Sequence, residues 1–274
     1  MIDPQDRAHC KEAIRHGSLS FHAASKLLPN RVRDPALALY AFCRVADDEV
    51  DLTRDKAAAL ARLQGNTNYA KVPNADMPNL LEQAKAQCFS PVHYARWSGE
   101  DSALQSADSI IADHPLPRDL RLEWLSADTQ AEVRASFGAM ALGCGVLPPA
   151  LEALTGQVKP GMTLLAVTAE GHVVSCAAAV GFLNSQHPDT NVECWWGMLA
   201  TDPDWRGQRL SLILGARVIQ EMAQQHGFRR FFTGIEPGNA PSEAVCKRLG
   251  LSDTAFSILG IADASLLPGG RMTK

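Results

Sequence analysis

The sequence lacks a basic excess, a cysteine pair and a long apolar run, and each absence excludes a class of function. Lysine and arginine number 26 against 30 acidic residues, for a formal net charge of −4 and a pI near 6.1. Nucleic acids and anionic membranes select clustered basic surfaces, so neither is an expected partner. The seven cysteines (Cys10, Cys43, Cys88, Cys144, Cys176, Cys194 and Cys246) are odd in number and widely spaced, with no C-x-x-C pair. That spacing supplies neither a zinc site nor a redox motif, so no metal is expected among them, and a reducing cytoplasm fits best. The stretch Met1 to His16 is charged, and no run of about 18 uncharged apolar residues occurs, so neither a signal peptide nor a membrane span is expected. No internal repeat or low-complexity tract is present.

What is present is a chain of 274 residues, 46% apolar, with room for one large domain or two small ones; two is the better expectation. Residues 5 to 64 carry helical periodicity through Ala36, Leu37, Leu39, Tyr40, Phe42 and Cys43, and the alanine-rich stretch Lys56 to Leu63 has strong helix propensity. Gly65-Asn-Thr-Asn, Pro73 and Pro78 interrupt this pattern, and residues 79 to 114 read as short, weakly helical pieces. His114-Pro-Leu-Pro is a second interruption. The expected organisation is a helical segment over 1–64, a linker with short helices over 65–118, and a mixed domain over 119–274.

Within the last part, Leu120 to Leu125 reads as a strand, followed by a helix capped by Ser126 or Asp128 and running towards Met140. Leu164 to Thr168 and Val173 to Phe182 read as a hairpin, and Val192 to Thr201 as the next strand. A helix from about Leu210 to Gln225 presents an apolar stripe at Leu210, Ile213, Leu214, Val218 and Met222, and Gly227 ends it. Phe228 to Ile235 is a strand, Asn239 caps a short helix closed by Gly250, and Leu251 to Ile261 closes the sheet. The order is β-α-α-β-β-β-α-β-α-β.

A strand leading into a glycine-containing loop and a helix N-terminus is a suitable cradle for a pyrophosphate, because free backbone N–H groups and the helix dipole both favour anions. Met198 to Ser211 is such a junction. It resembles the central signature of the GNAT superfamily of N-acetyltransferases, with Arg206, Gly207, Gln208, Arg209, Leu210 and Ser211 forming the loop. Gly238 to Leu251 resembles that family's second signature, with Asn239 and Leu249-Gly250-Leu251 in register. The resemblance implies an α/β (α+β) fold with a mixed, mostly antiparallel central sheet flanked by helices. It also implies acetyl-CoA as acyl donor and a small-molecule or peptide amine as acceptor; a homodimer is left open.

The resemblance further implies that backbone N–H groups of Leu199, Ala200 and Thr201 on a bulged strand face the thioester and pantetheine. Arg209 and Ser211 stand where the family prefers small residues; Arg209 either pairs with a phosphate or weakens the site. Cys246 occupies the position of the family's proton-donating tyrosine, and its alternatives are a general acid or a small buried residue. Ser242, one helical turn earlier, is another donor or a coenzyme A contact, or a hydroxyl satisfying the helix start. Glu193 is the one carboxylate in the central strand, as a base acting directly or through water, or as a solvated strand-end residue. Of Trp195 and Trp196, which point to opposite faces, one lines the acceptor pocket or both pack in the core.

Near the amino terminus, Ser18 to Pro29 and Ala38 to Asp51 resemble the start of a squalene/phytoene synthase. In that family Asp47, Asp48 and Asp51 would hold magnesium and a prenyl diphosphate, since carboxylates spaced three or four residues apart share a helix face. The resemblance covers residues 15 to 64, without the second aspartate-rich motif of that all-helical fold. A prenyl-diphosphate-binding protein and a non-catalytic acyl-CoA-binding module are therefore the alternatives to an acetyltransferase.

Overall fold

The structure, a computed structural model, describes residues 66–146, 148–183 and 187–263. The expected helical segment over 1–64, with Asp47, Asp48 and Asp51, lies outside the described residues. Tyr69–Leu80 and Val92–Leu259 belong to one compact unit, and Leu81–Pro91 belongs to a second. Every site discussed below lies within the first.

Strands β1 (Asn66–Pro73), β2 (Phe89–Gly99), β3 (Leu120–Trp124), β4 (Gly161–Thr168), β5 (Val173–Val180), β6 (Glu193–Thr201), β7 (Arg230–Ile235) and β8 (Ser252–Asp263) form one sheet. Its order is β1-β8-β2-β7-β6-β5-β4-β3. β3–β4, β4–β5, β5–β6 and β2–β7 pair antiparallel, whereas β6 and β7 run parallel. The helices are α1 (Met77–Ala86), α2 (Asp101–Asp113), α3 (Ala131–Gly143), α4 (Leu151–Leu154), α5 (Leu210–His226) and α6 (Ala240–Arg248). From β3 onward the order is the one read from the sequence, and the fold class is the mixed α/β sheet that the GNAT-like signatures imply.

Two buried apolar layers sandwich the sheet. One gathers Trp97, Ala177, Cys194, Trp196, Phe231 and Ile235 from alternate strand positions under Leu210, Ile213, Leu214, Val218 and Met222 of α5. This is the stripe the helical period places on one side of α5. On the other face Val133, Phe137, Met140 and Ala141 of α3 cover Leu165, Val167, Cys176, Ala178, Met198 and Ala200. Strand alternation divides neighbours such as Cys194 and Trp195 between the two layers.

Two local expectations are corrected. The helix after β3 begins at Ala131 behind Gln130, because the Ser126 hydroxyl accepts from the Asp128 amide and Thr129 Oγ1 accepts from the Ser126 amide, a turn complete in itself. Residues 79–114 hold not only the helices α1 and α2 but also β2, which pairs with β7 from Ala95↔Ile235 to Gly99↔Phe231. The segment preceding β3 is thus an interior part of the sheet.

Candidate acyl-CoA site

The parallel strands β6 and β7 are paired over only Glu193↔Arg230, Cys194↔Phe231 and Trp195↔Phe232, although β6 continues to Thr201. Past Trp195 the two strands form a fork. On its other side β6 departs from regular pairing with β5: Cys176 faces Ala200 while Ala178 faces Gly197, so one extra residue of β6 is accommodated. Met198 carries the irregularity, with φ of 53°, a left-handed value costly for a side-chain-bearing residue. The Cys176 thiol donates to Met198 O at 3.1 Å, fixing the bulge from below. Leu199 beyond it is half-buried and Thr201 ends the strand.

The chain then turns through a 3-10 segment, Pro203–Trp205, capped by Asp202 Oδ1 accepting from the Asp204 amide at 2.9 Å. Arg206, Gly207, Gln208 and Arg209 follow, all exposed. Gly207 has φ of 81° with nothing within 4 Å of a built Cβ, so the loop is open on that side. Arg209 also adopts the left-handed region, at φ 60° and ψ 20°, where glycine would be unstrained, and it caps α5 without a side-chain hydrogen bond. The first intrahelical bond runs from Ile213 N to Arg209 O. The amides of Leu210, Ser211 and Leu212 thus precede the helical ladder and can receive an anion. Ser211 has a different task from the loop amides: its hydroxyl lies 2.7 Å from Thr201 Oγ1, which is itself 2.9 Å from Ser175 Oγ. This hydroxyl chain ties the end of β6 to the first turn of α5 and to β5.

Residues 145–251 match the acetyltransferase (GNAT) family. The GNAT match spans the bulged strand, the loop and α6, so both signatures fall inside it. A second match, to squalene/phytoene synthase, covers residues 14–120. It runs well past the 15–64 of the sequence motifs and over β1 and β2. The phytoene synthase of Rhodobacter capsulatus is 46% identical over 131 residues, 41% of this chain and 39% of that protein. That of Cereibacter sphaeroides is 71% identical over 51 residues, 19% of this chain and 14% of that protein. The chain thus spans well under half the length of either relative. Among solved structures, a Drosophila protein shares the fold at TM-score 0.50 and 17% identity, covering 77% of this chain and 68% of its own. A GCN5-related N-acetyltransferase from Kribbella flavida is similar at TM-score 0.49 and 16% identity, covering 78% and 75%.

Glu193 lies apart from the fork's open end, at the start of β6. Glu193 is not a solvated strand-end residue: it is 4% exposed, and Arg96 Nη2 on β2 donates to its Oε1 at 2.5 Å. It also begins β6, eight residues from Thr201, or about 26 Å at strand rise. Cys246 is 2% exposed in the layer under α5, and burial pushes its thiol from 9.0 up to about 12. Asn239 caps α6, its Oδ1 accepting from the Ser242 amide at 3.3 Å, which leaves the half-buried Ser242 hydroxyl as the other polar group of that turn. Trp196 is fully buried and donates from Nε1 to Gly215 O of α5 at 3.1 Å, while Trp195 is half-buried on the opposite face. Arg96 was not legible as a site residue, because its partner stands 97 positions away in the chain. Among the described residues no group of three or more His, Cys, Asp or Glu is arranged to hold a metal.

Proposed function

We propose that the GNAT domain transfers an acetyl group from acetyl-CoA to an amine of a small molecule or peptide. The observation that carries this reading is the continuity of fork, bulge and loop: β6 parts from β7 after Trp195, kinks at Met198, and delivers the chain through Gly207 and Arg209 to an uncapped helix start. Acyl transfer from a thioester needs polarisation of its carbonyl and a positioned neutral amine. Backbone amides around Leu199, Ala200 and Thr201 would polarise the carbonyl, and the amides of Leu210 to Leu212 with Arg206 and Arg209 would hold the pyrophosphate. With Glu193 ion-paired, a base is left to water or to the acceptor's own pKa, which suits an amine of modest basicity. Ser242 is the more accessible of the two candidate proton donors for the departing thiolate, being half-buried where Cys246 is sealed. The described cysteines are free, which suits a cytoplasmic setting.

A second reading, an acyl-CoA-binding module without turnover, is favoured by the sealing of Glu193 and Cys246 in the core. Thiol release from acetyl-CoA across a panel of amines, amino acids and peptides separates the two: release with any acceptor supports the enzyme, and binding without release supports the module. Gly207→Trp should abolish acetyl-CoA binding in a thermal-shift titration while the apo protein still folds: the added ring enters open space, and the left-handed φ of 81° costs a side-chain-bearing residue only about 1–2 kcal/mol. Unchanged affinity would remove the loop from the site. A prenyl-diphosphate-binding reading rests on Asp47, Asp48 and Asp51; stabilisation only by a prenyl diphosphate with magnesium would favour it over both.

A further inference from the structure

Beyond Trp195↔Phe232 no registered pairing joins β6 to β7, so the angle of the fork depends on side chains that bridge it. On the α5 face Trp196 ties β6 to the helix through its bond to Gly215 O, without reaching β7. On the opposite face the bridge is Arg96. Its residue pairs across β2–β7 with Gly234, beyond the parting point, and its side chain runs back over β7. The guanidinium lies 4.5 Å from the centroid of the Phe232 ring and ends on Glu193 at the closed end of β6. Both side chains are buried, at 3% and 5% exposure. Arg230 Nη1 stands 3.9 Å from the same carboxylate oxygen, and Thr254 Oγ1 donates to Arg96 O at 2.8 Å, anchoring the strand that carries it.

A buried ion pair is a poor source of stability when apolar side chains of similar volume would fill the same space. Here it is poorer still, because Arg96 Nε is buried without a hydrogen-bond partner. What the pair does supply is geometry: a planar, fixed link of three strands across the root of the fork. We propose that Arg96 is a positioning residue, which through Glu193 sets the opening of the β6–β7 fork and so the seating of the thioester end of acetyl-CoA. The inference rests on the acyl-CoA reading above. It adds that a residue well before the GNAT match, on β2, governs the donor site.

The test is calorimetric binding of acetyl-CoA and of 3′,5′-ADP, which carries the phosphates but not the pantetheine or acetyl group, on the full chain. Arg96→Met is expected to weaken acetyl-CoA at least tenfold and leave 3′,5′-ADP unchanged; Arg96→Lys, which keeps the charge, should bind acetyl-CoA more tightly than Arg96→Met. The double variant Arg96→Met with Glu193→Leu strands no charge, so it should melt close to the wild type yet keep the acetyl-CoA defect. Wild-type acetyl-CoA affinity in that double variant would overturn the proposal. So would parallel loss of both ligands, or failure of the double variant to fold, either of which would make the pair a requirement of the core rather than of the fork. A wild-type protein that binds neither ligand would instead refute the acyl-CoA reading on which the proposal stands.

Discussion

Arg209 is a charged residue in a backbone region that costs a side-chain-bearing residue about 1–2 kcal/mol. Arg209→Gly removes that strain but adds freedom to the unfolded chain, offsetting about 0.5–1 kcal/mol. The variant should therefore be more stable by about 0.5 kcal/mol in denaturant titration, yet bind acetyl-CoA several-fold more weakly through loss of the guanidinium. A gain in both would mean that the side chain only obstructs. Burial acts differently on the cysteines. Cys176 and Cys246 are each pushed from 9.0 up to about 12 by desolvation. Their raised folded values leave stability intact below about pH 9, where unfolded thiols begin to ionise, and erode it as pH rises towards 12. The melting temperature should fall across that window, less steeply in Cys246→Ala. On the acetyltransferase reading proposed above, the same variant is expected to keep wild-type thiol release at neutral pH; a marked loss of release would make the Cys246 thiol the acid. Glu193 shows why residue roles were harder to read than residue positions. An acidic residue beginning a strand has the same local sequence whether solvated or paired, and only the sheet brings Arg96 to it.

At the level of elements, α5 and β6 meet so closely that the interface has no room for a methyl group. A Cβ at Gly215 would stand 2.7 Å from a ring carbon of Trp196 and 3.3 Å from Leu249. Gly215→Ala should destabilise by about 1–3 kcal/mol, the usual cost of forcing a packed core apart, as read from the denaturant midpoint. Helix α5 and strands β3 to β7 were legible because apolar periodicity changes from two to 3.6 where the chain changes state. β2 was not: residues 79 to 114 read as short, weakly helical pieces, and Phe89-Ser-Pro-Val-His-Tyr-Ala-Arg-Trp, with a proline and the charged Arg96, lacks the apolar alternation that marks a strand. Arg96 is tolerated inside because a carboxylate two strands across the sheet, on β6, receives it. The left-handed residue at Met198 was equally hidden. A bulge was expected of this strand by resemblance, but nothing in Trp-Trp-Gly-Met-Leu marks which residue bears it.

For the molecule as a whole, the strands before residue 119 decide whether the later ones can form a sheet. β2 lies between β8 and β7, so a chain beginning at Leu120 would leave two interior edges unpaired and Glu193 buried without Arg96. Such a chain should aggregate or lack a cooperative melting transition by calorimetry; a sharp transition would show that β2 is dispensable. The domain boundary expected at residue 118 follows composition, and composition does not record which strand fills the middle of a sheet. That placement also has a consequence in time. About 140 residues separate Ala95 from its partner Ile235. At ribosomal rates of about 5–20 residues per second, β2 waits roughly seven to thirty seconds after its own synthesis before β7 exists to receive it. During that interval a strand bearing Tyr94, Arg96 and Trp97 has neither neighbour in the final sheet, so the step most exposed to misassembly is the late insertion of β2 between β7 and β8.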